Sequence, residues 1–211
     1  MSEPIVSVCL ITYNHAKYIA QAIESVLMQQ TNYEWELVIA DDFSTDGTRE
    51  IIKEYKTKYP EKIKLILQEK NVGANKNWID LLSYPKSKYI AYFEGDDYWI
   101  DKNKLQKQID FLESNPDYGM VHTGYKRLIE KKNSFSFSYT KQPLSDNIFD
   151  FLLNNLNCVA TLTVCFRSSL FKDYVNKIDP INKSWKLGDL PLWLFIAKTN
   201  KVKFFTGEFG E

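Results

Sequence analysis

The sequence is poor in several features that would otherwise decide its class. Cysteine occurs three times, as Cys9, Cys158 and Cys165, an odd number with no C-x-x-C spacing. That excludes a disulfide framework and a thiolate zinc site, and it fits a reducing compartment. Neither charge is in excess, since 27 Lys and Arg face 27 Asp and Glu. A nucleic-acid binder would carry a basic surplus, so no nucleic-acid partner is expected. No apolar run approaches the roughly 18 residues of a membrane span, and the stretch from Cys158 to Phe166 is far too short. Met1-Ser2-Glu3-Pro4 has neither the basic region nor the apolar stretch of a secretory signal. The expectation is a cytoplasmic protein with no transmembrane segment, touching the inner face of a membrane at most peripherally. G-x-G-x-x-G, G-K-[ST] and G-x-S-x-G are all absent, which disfavours dinucleotide-dependent oxidation, P-loop hydrolysis and serine hydrolysis.

What is present is a globular composition, 44% apolar and 15% aromatic over 211 residues. At about 150 residues per domain this is one large domain, with no repeat or linker to divide it. Ile5 to Thr12 is a nearly continuous apolar, β-branched run, the pattern of a strand buried on both faces. Ile19, Ala22, Ile23, Val26 and Leu27 then recur at helical spacing. Strands are expected at Trp35–Ala40, Ile63–Leu67 and Tyr89–Phe93, and helices at Asp46–Tyr59, Ala74–Leu82 and around Leu105, Ile109 and Leu112. Such alternation predicts βαβ units, a mostly parallel sheet and helices on both faces, an α/β fold. The second half is less regular. Tyr118–Ile129 reads as strands, Asn133–Tyr139 as a connector, Ile148–Leu156 as a helix, Cys158–Phe166 as a strand and Leu190–Ala197 as a buried helix.

Ligands of open α/β sheets bind beyond the carboxyl ends of the strands. Four polar clusters fall there: Tyr13-Asn14-His15, Asp41-Asp42, Asn71-Val72-Gly73 and Glu94-Gly95-Asp96-Asp97. Adjacent carboxylates such as Asp96 and Asp97 repel, by up to about 4 kcal/mol at 4 Å and an effective dielectric near 20. Either they form a solvated turn, or a divalent cation offsets them; an oxygen-only donor set favours Mg²⁺ or Mn²⁺ over Zn²⁺. Asp41, directly after an apolar strand, can accept a base N–H or a ribose hydroxyl, whereas Ser44, Thr45 and Asp46 suit a helix N-cap. Asp189, in Gly188-Asp189-Leu190-Pro191, is either the N-cap of the next helix or a base held ionised by the helix dipole. His15 and His122 lack partners at metal-ligand spacing and read as structural, and Trp78, Trp99, Trp185 and Trp193 as core or sugar-stacking residues.

Val6–Asn14, Ala40–Thr48, Asn71–Gly73, Glu94–Asp97 and Gly188–Trp193, in this order, resemble the family 2 glycosyltransferases of the GT-A fold. The resemblance runs over almost the whole chain. It implies residues 1–211 as one catalytic domain, with 1–115 as a nucleotide-sugar half and 116–211 as an acceptor half truncated at its C-terminus. It further implies a UDP-sugar foremost as donor, a saccharide or lipid-linked saccharide acceptor, a bound Mn²⁺ or Mg²⁺, and inversion at the transferred sugar. By position, Thr12 and Asn14 would line the base and ribose pocket, Asp41 would read the base, and Asn71 and Lys76 would approach the nucleotide or its phosphates. Asp96 would sit near ribose or metal, Asp97 would lead the metal ligands, and Asp189 would be the general base. Glu94 stands where many relatives have the first Asp of a D-x-D motif. Gly207–Glu211 ends the chain before the Arg/His-containing segment of longer relatives. Two other readings remain open: a sugar-nucleotide nucleotidyltransferase, and a nucleotide-sugar-binding module without catalysis.

Overall fold

The computed structural model describes residues 3–129, 134–138, 148–155, 158–183, 185 and 188–205. Seven strands form one sheet in the order β3-β2-β1-β4-β8-β5-β9. They are β1 (Val6–Thr12), β2 (Trp35–Asp41), β3 (Ile63–Leu67), β4 (Tyr89–Glu94), β5 (Tyr118–Thr123), β8 (Cys165–Arg167) and β9 (Lys201–Phe205). Strands β6 (Tyr125–Ile129) and β7 (Ser134–Ser138) form a separate antiparallel ribbon. The helices are α1 (Ile19–Leu27), α2 (Thr48–Lys58), α3 (Ala74–Ser83), α4 (Lys104–Ser114), α5 (Phe149–Asn155), α6 (Ser168–Ile178) and α7 (Asp189–Thr199). Pairing is parallel except where β8 runs antiparallel between β4 and β5.

The continuous apolar strands bury both faces, as their composition requires. On one face Val6, Val8 and Leu10 of β1 pack with Ile19, Ile23, Ile52, Leu105, Ile109 and Leu112 of α1, α2 and α4. On the other, Cys9 lies among Trp78, Leu82, Leu152, Phe171, Tyr174, Trp193 and Ile196 of α3, α5, α6 and α7. The alternating side chains of a single strand thus anchor two helical layers.

The first half follows the sequence-based expectation to within a few residues, and the second departs from it. Residues 158–166 are not one strand: Thr161–Thr163 is a 3-10 turn, and only Cys165–Arg167 pairs in the sheet. Here the Thr163 hydroxyl donates to Ala160 O (2.7 Å), while Trp99 Nε1 and Gln108 Nε2 donate to the carbonyls of Leu162 (2.9 Å) and Thr163 (2.8 Å). Those carbonyls therefore bond to side chains rather than to a neighbouring strand. The expected connector contains β7, which pairs with β6; its ends, like Leu156 and Gly207–Glu211, lie outside the described residues. The helix expected from Asp46 starts at Thr48, because Gly47, with φ +102°, holds the N-cap position. The cap expected at Asp189 is Gly188, and Asp189 is the first helical residue.

Strand β8 has only three residues, and Arg167 at its end ties it in place. Its Nε donates to Tyr118 O (2.8 Å), Nη1 to the Tyr89 hydroxyl (3.2 Å), and Nη2 to the carbonyls of Leu112 (2.7 Å) and Asn115 (3.1 Å). These bonds join β4, β5 and α4 through one guanidinium. Arg167→Met keeps the apolar stem and removes every donor, so it should lower stability by about 2–3 kcal/mol. Urea unfolding measures this, and a midpoint equal to wild type would contradict the role.

Candidate active site

The parallel register sets the site. Thr12 stands opposite Asp41 across β1 and β2, and Ile11 opposite Glu94 across β1 and β4. The carboxyl ends of three adjacent strands therefore share one rim, at the point where strand order turns from β1–β2–β3 back to β4. That is where open α/β sheets bind ligands.

The loops on this rim are joined by side chains. Asn14, at φ +56°, donates its backbone N–H to Ser44 Oγ (2.8 Å), and its Oδ1 accepts from Thr45 N (2.9 Å). His15 N donates to Thr48 Oγ1 (2.9 Å), and Ala16 N to Asp46 Oδ2 (3.0 Å). Thr12 is buried, with its hydroxyl 3.3 Å from His15 Nδ1. Gly95 lies against this pair: a Cβ there would come within 2.7 Å of Thr12 Oγ1 and 2.9 Å of His15 Nδ1. Only glycine lets the turn after β4 approach the β1 loop so closely.

Asp41 is 0% exposed. Its Oδ2 pairs with the Arg49 guanidinium and accepts Ser44 N–H (3.1 Å), while Oδ1 is buried with no hydrogen-bond partner among the described residues. The second Arg49 contact is to Gln68 O, and its guanidinium lies 5.0 Å over the Phe43 ring. Phe43, at φ +65°, is 40% exposed, and Tyr13 on the β1 loop is 46% exposed. Asp42 points the other way, accepting Val72 N–H (2.7 Å) on Oδ1 and Gly73 N–H (3.0 Å) on Oδ2. Asn71 closes the same turn, donating to Asp42 O (3.3 Å) and accepting from Gly73 N (3.2 Å).

The acidic cluster is under electrostatic stress. Burial, then the charges of Glu94 and Asp96, push the Asp97 carboxyl up to about 7. Burial, Asp96 and Asp189 likewise raise Glu94, against a 3.3 Å hydrogen bond from Thr161 Oγ1 that lowers it. Tyr92, buried beneath, is raised chiefly by desolvation and then by Glu94, Asp189 and Asp97. Asp189, some 90 residues further along the sequence, thus acts electrostatically on the same cluster.

Among the described residues no three His, Cys, Asp or Glu side chains form a ready-made metal cage. Mutually repelling oxygen donors nevertheless fit a hard divalent ion that completes its shell from phosphate and water. Lys76 stands apart from the cluster, paired with Asp80 one turn along α3. His122 is buried against Phe204 (5.1 Å) with both ring nitrogens unpartnered among the described residues; burial lowers it to about 4, so it is neutral. Arg49 and Thr161 were missed by sequence reasoning. A cation in the first turn of the helix after Asp41 was the available sign of Arg49. Thr161 gave none, because its segment read as a strand.

The family described as glycosyl transferase family 2 matches residues 7–176. The chain belongs to that family. It is 31% identical over 197 residues to the putative teichuronic acid biosynthesis glycosyltransferase TuaG of Bacillus subtilis, covering 93% of this chain and 73% of TuaG. An uncharacterized protein of Mycobacterium tuberculosis is 42% identical over 111 residues, or 53% of this chain and 32% of that protein. S. aureus TarS 1-349 in complex with UDP superposes with TM-score 0.69 at 21% identity, covering 96% of this chain and 58% of that 1-349 chain. The mannosyltransferase PcManGT of Pyrobaculum calidifontis, in complex with GDP-Man and Mn²⁺, gives 0.68 at 16%, covering 100% and 56%. The fold of this chain is GT-A. The chain spans about a third of its mycobacterial relative and somewhat over half of each solved chain. Among the described residues no helix is long and apolar enough to cross a membrane.

The raised Asp97 carboxyl has a consequence for stability. Its folded-state value near 7 lies above the ordinary 3.8, so folding favours the neutral form. That contribution is complete below about pH 4 and is lost as pH rises through 7. In EDTA, Asp97→Asn should therefore raise the melting temperature at pH 8 by at least about 2 °C, the shift for ~1 kcal/mol at this length, with a smaller gain at pH 4.5. Equal shifts at both pH values, measured by calorimetry, would contradict the assignment.

Proposed function

We propose that this chain carries the catalytic centre of a metal-dependent, inverting glycosyltransferase. It would move a sugar from a nucleotide-diphosphate sugar to an acceptor hydroxyl during synthesis of a cell-surface polysaccharide or glycolipid. The observation that carries this reading is the shared electrostatics of Glu94, Asp96, Asp97 and Asp189 on the rim that also holds Asp41. The teichuronic acid biosynthesis for which TuaG is named and the UDP in TarS support the pathway class and a UDP-sugar donor. The Mn²⁺ with PcManGT supports a divalent ion. The setting we propose is cytoplasmic, with peripheral contact at the inner membrane face where a lipid-linked saccharide would be met.

In this reading Thr12 and Asn14 line the base and ribose pocket, and Asp41 accepts a base N–H through Oδ1, which has no partner among the described residues. Asn71 shapes the turn beside the nucleotide, and Lys76 exchanges Asp80 for a donor phosphate. Asp97, with Asp96 beside it, would hold Mn²⁺ or Mg²⁺, whose positive charge stabilises a departing diphosphate. Asp189 takes the proton from the acceptor hydroxyl. Because one base acts on the side opposite the leaving group, a single displacement inverts the anomeric carbon. The transition state is oxocarbenium-like, as in glycoside chemistry.

Two measurements test this. A thermal-shift and calorimetric panel of UDP-, GDP- and dTDP-sugars should show binding strengthened by Mn²⁺, with Asp97→Asn removing most of the gain. Equal affinity in EDTA and Mn²⁺ would falsify the metal assignment. Asp189→Asn, which retains shape, should cut turnover by roughly 10²–10⁴-fold with donor binding nearly unchanged. Near-normal turnover, or retained configuration in the product read by NMR, rules the mechanism out.

A further inference from the structure

Asp189 begins α7, yet the backbone before it is packed on α3, an element of the N-terminal half. The Asn75 amide of α3 donates to Trp185 O at 2.7 Å, across 110 residues of sequence. Three residues on, Gly188 lies against the benzo ring of Trp78: a Cβ there would stand 3.2 Å from Cε3 and 3.3 Å from Cζ3. That ring cannot easily yield. It is 6% exposed and wedged edge-on by Phe171 at 5.5 Å and Tyr174 at 6.5 Å, both from α6. The start of α3 is fixed in turn, since Asp42 at the end of β2 holds the amides of Val72 and Gly73. Gly188 itself has ordinary right-handed dihedrals, φ −83° and ψ −24°. Backbone conformation therefore does not demand glycine there; proximity to Trp78 does.

We propose that α3 is the seat of the general base: Trp78 and Asn75 are positioning residues that set where Asp189 stands relative to Glu94 and Asp97. The inference rests on the reading of Asp189 given above. It adds that the base is placed by the nucleotide half of the protein through α3. The chain of contacts runs from Asp42 through the 71–73 turn and the first turns of α3 to Gly188. The same helix thus sets the edge of the donor pocket and the start of α7.

Gly188→Ala tests this contact: alanine suits the dihedrals, and the weaker N-cap it makes is the same with either residue at position 78, so the Trp78→Phe background separates capping from crowding. With whichever nucleotide sugar turns over in the panel above, Gly188→Ala should lower kcat by about 10–10²-fold, the scale of a misplaced catalytic group. The dissociation constant for UDP with Mn²⁺ should stay within about twofold. Trp78→Phe removes the crowded benzo ring, so the Gly188→Ala/Trp78→Phe pair should regain most of the turnover lost by Gly188→Ala, each compared with its own background. Asn75→Ala should lower kcat with the donor KM unchanged. Crystal structures of wild type and Gly188→Ala supply a readout independent of turnover: Asp189 should be displaced relative to Glu94 and Asp97 while β1, β2 and β4 superpose. An unmoved Asp189, or Gly188→Ala turnover within twofold of wild type, overturns the positioning role. Full activity of Asp189→Asn would instead remove the general base itself, and the displacement in the crystal would still decide whether α3 sets that backbone.

Discussion

The chemistry of this protein depends on the parallel register of β1 with both of its neighbours. Because Thr12 faces Asp41 and Ile11 faces Glu94, three chain segments that leave the sheet do so at one height. Their loops are then close enough to bond to one another: Asn14 to Ser44 and Thr45, Gly95 to the Thr12–His15 pair, Asp42 to the 71–73 turn. A slip of one residue in β1 would exchange the two helical layers and take Thr12 off the rim. The alternation of Val6, Val8 and Leu10 against Cys9, each sealed on its own side, prevents that slip.

Against this frame the acidic residues form a site of stored repulsion. Glu94 and Asp97 are pushed toward their neutral forms first by burial and then by neighbouring carboxylates, Asp96 and Asp189 for Glu94, Glu94 and Asp96 for Asp97. A cluster of this kind is costly to fold, the pattern expected where stability yields to function. The opposite arrangement holds at Asp41, where Arg49 and the Ser44 amide satisfy one carboxylate oxygen and the other has no partner among the described residues. Two carboxylate sites on one rim thus differ in kind: in one, carboxylates raise one another's affinity for a proton, and in the other, one oxygen is paired with a guanidinium.

Much of the first half could be read from the sequence, because buried parallel strands and amphipathic helices leave strong periodic signals. The polar clusters at the strand ends could be read for the same reason, once strands were assigned. The second half resisted for physical reasons. Residues 158–166 are apolar and β-branched, like a strand, but the partners of their carbonyls are the distant side chains of Trp99 and Gln108, which no local pattern announces. Helix α6 and strand β9 went unassigned although Leu170, Phe171, Tyr174, Val175 and Ile178 repeat at helical spacing. The resemblance to a family pointed to the acidic residues and to Asp189, but not to Arg49 or to the packing of Trp78 on Gly188, contacts made only in three dimensions.

The short antiparallel strand also dictates an order of assembly. β5 lies beyond β8 in the sheet, so it has no bonded neighbour on the β4 side until residues 165–167 have arrived. During synthesis β1 to β4 can pair among themselves with short crossovers, while β4 keeps one edge open until roughly 70 further residues have emerged. Open edges of this kind attract foreign strands, and such long-range closure is slow. The half of the protein that would hold the nucleotide is therefore laid down first, and the half bearing Asp189 is assembled onto it.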